Sequence, residues 1–303
     1  MSDSPGLVVL GSANLDVVYR VAAIPRAGET VLATGESRHP GGKGLNQAVA
    51  AARAGAPTAF VACIGNDAAG GDLMDVILEA GIDTSTVRRV DTPTGTALIT
   101  VQDDGDNAIV VAAGANATLV SLTDVQRHAV ADAAVLVAQL EVPLEVVVEA
   151  AEVARGSGTR FVLNVAPAQS LDDDVLELVD VLVANEHEAT TLTAEPEPMH
   201  SARRLLDRVP AVVVTTGASG CVVATRDQEV EHIPAAPAEV VDTTGAGDTF
   251  TGVLAAGMAS GLSVAEATRR AVVAAAISVE RDGAVPSIPS REQVDARLAA
   301  YRA

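Results

Sequence analysis

The segment Asp242-Thr243-Thr244-Gly245-Ala246-Gly247-Asp248-Thr249-Phe250 runs into a stretch rich in small residues with helical period. Successive amides at Gly245, Ala246 and Gly247 on a helix N-terminus form an anion site that can hold the charge developing on a transferred phosphoryl group. Asp248 is a poor anion ligand but an apt base, able to take the proton of a hydroxyl attacking phosphorus. It could equally be a capping carboxylate that only satisfies the helix dipole. A second glycine cluster, Gly41-Gly42-Lys43-Gly44-Leu45-Asn46-Gln47, precedes an Ala-rich helix. Its glycines allow close approach of a ligand to backbone, or simply a tight strand-to-helix turn. It is not a P-loop, because the glycine spacing differs and Gly44 stands where the hydroxyl should follow lysine. Asn185-Glu186-His187-Glu188 has the spacing of a capping box. Alternatively, Asn185 and Glu188 face a cleft and hold waters around Mg²⁺, which takes few protein ligands.

These residues need elements to position them. Short Val/Ile-rich runs at Leu7–Leu10, Thr58–Ile64, Ala134–Gln139, Arg160–Asn164, Val181–Ala184 and Val212–Thr215 read as buried strands. Helical period marks Lys43–Ala54, Gly70–Ala80, Leu144–Ala154, Leu171–Leu178, Glu186–Thr193, Ala246–Ser260, Val264–Glu280 and Arg291–Tyr301. Alternation of this kind predicts an α/β fold, a three-layer α/β/α core with a mainly parallel sheet. Residues 15–38 and 94–112 alternate polar and apolar residues instead, the second around the turn Asp103-Asp104-Gly105-Asp106-Asn107. They predict a small inserted β-sheet that covers a site at the carboxyl edge of the main sheet. The chain, 1–303, is expected to form one domain.

Composition narrows the function. Twenty Lys and Arg against forty Asp and Glu give a net charge of −20, which disfavours nucleic acid and anionic membrane surfaces as partners. Cys63 and Cys221 lie far apart and form no metal or disulfide pattern, and the start carries no signal-peptide pattern, so a reduced, cytoplasmic protein is expected. The five histidines, His39, His128, His187, His200 and His232, are scattered without a zinc or hydrolase motif. Lys43 is the single lysine; every other basic residue is arginine. Coding bias or salt adaptation would replace lysine wherever arginine serves as well, so Lys43 is a candidate ligand residue that needs a compact ammonium.

Taken in order, Gly11–Asp16 (a GSxNxD start), Gly41–Gln47, Gln139-Leu140-Glu141, Asn185–Glu188, Thr216-Gly217 and Asp242–Phe250 resemble the PfkB carbohydrate kinases, and within them the ribokinase branch, over essentially the whole chain. The resemblance implies a ribokinase-like core with a β-sheet lid, a homodimer clasped through the lid sheets, and ATP-dependent phosphorylation of the 5-hydroxyl of D-ribose. By the family pattern, Asn14, Asp16, Gly42, Lys43, Asn46 and Glu141 bind the sugar and Asp248 is the base. The same pattern gives ATP to Asn185, Thr216, Gly217 and Gly247, with the anion hole at Gly245, Ala246 and Gly247. It implies Mg²⁺ held through water by Asn185 and Glu188, and an activating K⁺ at Asp242, Thr244, Ser278, Arg281, Gly283 and Ser287. Asn164-Val165-Ala166-Pro167 departs from the family's Asn-Pro-Ala-Pro, which predicts a somewhat looser loop.

Competing readings are a kinase of adenosine-type nucleosides, of deoxyribose or of a ketohexose, and, from another class, a non-catalytic sugar sensor. The expected lid offers only Tyr19 to stack on a nucleobase, which favours a bare sugar. A sensor would need neither base nor metal ligand. A dinucleotide dehydrogenase is disfavoured because the first strand is followed by Gly11-Ser12-Ala13-Asn14, not by its glycine fingerprint.

Overall fold

The computed structural model describes residues 6–102 and 106–301. Strands β1 (Leu7–Leu10), β2 (Asn14–Val21), β3 (Gly35–Gly41), β4 (Thr58–Gly65), β5 (Val87–Val90), β6 (Gly95–Gln102) and β7 (Asn107–Ala112) occupy the first part of the chain. They are followed by β8 (Val135–Ala138), β9 (Arg160–Asn164), β10 (Val181–Asn185), β11 (Ala211–Thr215), β12 (Cys221–Thr225) and β13 (Gln228–Ile233). Nine of them form one sheet in the order β13-β12-β11-β10-β9-β8-β1-β4-β5; the other four form a second sheet, β3-β2-β6-β7. Pairing in the large sheet is parallel from β11 through to β5, and antiparallel at β11–β12 and β12–β13.

The large sheet is buried on both faces, and period-two alternation divides its side chains between two cores. Leu7, Val9, Phe60, Ile64, Val137 and Val213 point to one side, where helices Lys43–Arg53, Ala246–Ala259 and Val264–Ser278 pack. Val8, Leu10, Val61, Leu136, Leu163 and Val212 point to the other, against helices Leu144–Ser157 and Pro198–Leu205. Ala, Val, Leu and Ile build nearly all of this interior; Phe60 and Phe161 are its only large aromatics among the fully buried side chains.

Several elements differ from the sequence expectation. The helix expected at Leu171–Leu178 is a single turn, Asp173–Leu176. Strand β5, Val-Arg-Arg-Val, carries too much charge to read as buried, and β12 and β13 are an edge hairpin that follows β11 after a short turn. Helices Asp124–Asp132 and Pro198–Leu205 lacked a strong apolar stripe, though a Thr123/Gln126 capping box and a first-turn proline mark their starts.

The small sheet leaves the core where the site lies. Its first residue, Asn14, pairs with both Gly41 and Gly95. A Cβ on Gly41 would meet the Asp16 carboxylate at 2.1 Å, and one on Gly95 would meet Asn14 Oδ1 at 2.3 Å, so both strands reach these side chains only as glycine. The turn expected at Asp103–Asn107 lies partly outside the described residues, and Gln102 N donates to Asp106 O at 2.9 Å across it.

Candidate active site

Helix Ala246–Ala259 carries Asp248 in its first turn and crosses helix Lys43–Arg53 at Gly252, one turn further on. A Cβ on Gly252 would lie 2.4 Å from Gln47 O and 2.6 Å from Ala50 Cβ, so only glycine lets the helices meet this closely. That approach puts Asp248 against the start of the neighbouring helix. Asn46 Nδ2 donates to its Oδ2 and Gln47 Nε2 to its Oδ1, each at 2.9 Å. Asp248 is 8% exposed. Burial pushes its carboxyl above the ordinary range, while Lys43 and the two amide donors pull it back.

Three further charges converge here. Burial works against the Lys43 ammonium, but Asp248, Glu141 and Glu188 together hold its pKa above the ordinary lysine value. Asp16 is pushed up to about 7 by burial, with Glu141 and Asp248 adding repulsion. Glu141 is oriented by Ser12, whose hydroxyl donates to its Oε2 at 2.5 Å, and by the Lys43 backbone amide at 3.1 Å. Asn14 is fixed from behind by Asn116, which donates from Nδ2 to Asn14 Oδ1 at 2.8 Å and accepts from Ala13 N at 2.9 Å. Gly42 adopts φ 92°, with its would-be Cβ 2.9 Å from Asn14 N, so the loop needs glycine there. The cleft thus presents a ring of carboxylate acceptors with one ammonium and amide donors, a set whose chemistry suits hydroxyl groups.

The strand ends supply the rest. Asn185, the last residue of β10, caps helix Glu186–Thr193 by accepting from Glu188 N at 2.8 Å, and Glu188 Oε2 accepts from Asn185 N at 2.8 Å. The capping box is real, yet Glu188 is also 7% exposed and lines a cavity of about 140 Å³ with Lys43, Asn164, Gly247 and Asp248. Burial raises its pKa, opposed by the Asn185 amide and Lys43. Through Thr215 and Gly247 this cavity adjoins a larger one of about 620 Å³, walled by Ala236, Pro237, Phe250, Val272, Ala276 and Val279. Gly217 lines the larger cavity, and Thr216 Oγ1 is buried without a partner beside it. The amides at Gly245–Gly247 are less uniform than the sequence suggests. Ala246 N donates to Thr243 O at 3.2 Å, whereas Gly247 and Asp248 sit in the first helical turn, where no carbonyl lies four residues back in the helix.

The loop before this helix is tied to a second segment. Asp242 Oδ1 accepts from Thr244 N at 2.9 Å and from its hydroxyl at 2.6 Å, and Oδ2 accepts from Gly283 N at 2.8 Å. Burial raises the Asp242 pKa, but these bonds outweigh it and hold the carboxyl below the usual range. Ser278 and Ser287 are buried with their hydroxyls spent on Ala275 O and Ala284 O, and Arg281 is exposed. Val165 corrects an expectation. Its amide donates to Val183 O at 2.9 Å and its side chain is buried, a tie that proline could not make, so the loop is anchored where looseness was expected.

Residues 4–291 match the pfkB family carbohydrate kinases. The chain is 40% identical over 295 residues to a ribokinase of Haemophilus influenzae, covering 95% of this chain and 96% of that one. It is 38% identical over 309 residues to the ribokinase of Mus musculus, covering 98% and 95%. The structure of Arabidopsis thaliana ribokinase complexed with ribose and ATP superposes with a TM-score of 0.91 at 34% identity, covering 97% of this chain and 99% of that one. With a family match that takes in both core layers, the small sheet and every residue of the cleft, the chain belongs to the pfkB family of carbohydrate kinases.

Proposed function

We propose that the protein is an ATP-dependent ribose kinase that transfers the γ-phosphoryl group to the sugar 5-hydroxyl. The observation that carries this reading is Asp248: a buried carboxylate at a helix N-terminus, aimed into a polar cavity that adjoins an apolar one across Gly247. The apolar cavity suits adenine, with Thr216 and Gly217 at its edge and Asn185 beyond; the first-turn amides suit the phosphates. Ribose hydroxyls meet Asn14, Asp16, Lys43, Asn46, Glu141 and the Gly42 backbone. Asp248 takes the 5-hydroxyl proton as the oxygen attacks phosphorus, and charge spreading onto the transferred oxygens is met by the amides at Gly247 and Asp248 and by Lys43. The small sheet acts as a lid that excludes water as a competing acceptor.

Glu188 is a buried hard-oxygen donor whose Oε1 takes no part in the capping box, so the residues fit Mg²⁺, with Asn185 acting through water. When bound, the cation neutralises phosphate charge. The Asp242, Thr244, Ser278, Arg281, Gly283 and Ser287 loop fits K⁺ through backbone oxygens, since both serine hydroxyls are engaged and the Asp242 carboxylate, held below the usual range, ties Thr244 to Gly283. The exposed apolar side chains of β7 and its neighbour, Ile109, Val110, Val111 and Leu98, support a homodimer clasped through the small sheets. Both cysteines are buried and free, which accords with a cytoplasmic location.

The test is a coupled ADP-release assay over pentoses, ketohexoses and nucleosides, with and without K⁺. Ribose is expected to give the highest kcat/KM and K⁺ to raise it; a preference for adenosine overturns the choice of substrate. Asp248→Asn is expected to lower kcat on the order of 10²–10⁴-fold while leaving ribose binding nearly intact.

A further inference from the structure

Four buried amide side chains converge behind Asp248. Gln139 Nε2 donates to Gln47 Oε1 at 2.6 Å, and Gln47 Nε2 donates to both Asp248 Oδ1 and Asn164 Oδ1 at 2.9 Å. Asn164 in turn donates to Val183 O at 3.2 Å, and Asn46 completes the set on the other carboxylate oxygen. Gln47 and Gln139 are both 0% exposed, so water cannot replace either partner. The chain has a direction. An ionised carboxylate only accepts, so Gln47 must turn its NH₂ toward Asp248 and its carbonyl away; the carbonyl then needs a donor, which Gln139 provides. Reversing Gln47 would set a carbonyl against a carboxylate oxygen and against Asn164 Oδ1 and, with Gln139 as it stands, an NH₂ against the Gln139 NH₂; Gln139 Oε1 itself is buried without a partner.

We infer that Gln47, held in one orientation by Gln139, is a positioning residue that favours the ionised form of Asp248 and keeps it pointed into the cavity before substrates arrive. The inference rests on the assignment of Asp248 as the base. It goes further, because it names the groups that make so deeply buried a carboxylate usable. Two donors, one per oxygen, favour the charged form against the burial that opposes it. The other charges facing Asp248 are Lys43 from the same helix as Gln47, Asp16 from β2, Glu141 after β8, and Glu188 from the helix after β10. None of them is altered by changes at Gln47 or Gln139.

The experiment compares pH profiles of kcat and of kcat/KM for ribose in the wild type and in Gln47→Met, Gln139→Met and Asp248→Asn, with ribose affinity measured by calorimetry. Methionine keeps the volume and removes the donor. Gln47→Met is expected to move the acid limb of kcat to higher pH, with a deficit on the order of tenfold on the acid side that shrinks toward parity in alkali, and with ribose affinity changed less than about threefold. Gln139→Met, which leaves the Gln47 donor but frees it to turn, is expected to shift the limb in the same direction by less. A loss of kcat that is equal at all pH values in both variants overturns the inference and marks a packing role. Gln139→Met also decides the matter if Gln47→Met fails to fold. Retained activity in Asp248→Asn would instead overturn the assignment of the base, so the two failures are distinct.

Discussion

Lys43 and Asp16 bear opposite consequences of burial in one cleft. Lys43 is surrounded by three carboxylates that keep it charged, and its compact ammonium fits among them. Lys43→Arg preserves the charge but introduces a planar fork, and kcat/KM for ribose is expected to fall on the order of tenfold or more. Steady-state kinetics at saturating ATP measure this, and wild-type values would show that the lysine is incidental. Burial, with Glu141 and Asp248 adding repulsion, pushes Asp16 up to about 7. An ionised Asp16 offers both oxygens as acceptors, so if the proposed sugar contact uses that form, ribose binding is expected to tighten about tenfold from pH 6 to pH 8 and to release a proton at the lower pH. Calorimetry in two buffers of different ionisation heat reads both; a pH-independent Kd would contradict it. The same shift has a stability sign. Because the folded pKa exceeds the ordinary aspartate value of 3.8, the folded state binds the proton more tightly. Asp16's stabilising contribution to the protein is therefore present in acid and lost as pH rises to about 7.

At the scale of elements, the crossing of helices Lys43–Arg53 and Ala246–Ala259 governs the position of Asp248, the proposed base. Gly252→Ala would force them apart at Gln47, costing about 1–3 kcal/mol and lowering kcat more than it raises KM. Gly71→Ala, where a Cβ meets nothing within 4 Å, is expected to be neutral or stabilising by about 0.4–1 kcal/mol. Urea unfolding with paired kinetics separates the two. The strands of the parallel sheet were legible because burial on both faces writes a continuous apolar run, as in Leu7–Leu10 and Arg160–Asn164. Edge strands such as β13, Gln-Glu-Val-Glu-His-Ile, are half solvated and carry no such run. Glycine-flanked site residues stood out for a related reason: close backbone approach restricts the residue type locally. Gln47, Gln139 and Asn164 lay inside recognised motifs, but their pairing with one another, like the role of Asn116, was not legible. Their partners lie 92 and 201 residues away in the pairs Gln139–Gln47 and Gln47–Asp248, and only folding brings them together.

For the whole molecule, the net charge of −20 opposes an anionic nucleotide at long range. Lys43 and the first-turn amides supply positive potential only within the cleft, so nucleotide association is expected to speed up with added salt, opposite to a cationic protein. The edge strand β7 is exposed along its whole length, with Val110 at 66%. Val110→Glu is expected to convert a species of about twice 30.6 kDa into the monomer in sedimentation velocity. A wild-type monomer would remove the dimer from the proposal. The arginine-only surface has a practical corollary. Since Lys43 holds the sole ε-amine of the chain, incorporation of ¹⁵N-lysine labels one side chain, and that side chain faces Asp248, Glu141 and Glu188. The enzyme therefore carries a built-in single-site spectroscopic reporter, whose resonance is expected to shift when sugar enters the cleft, without any engineered probe.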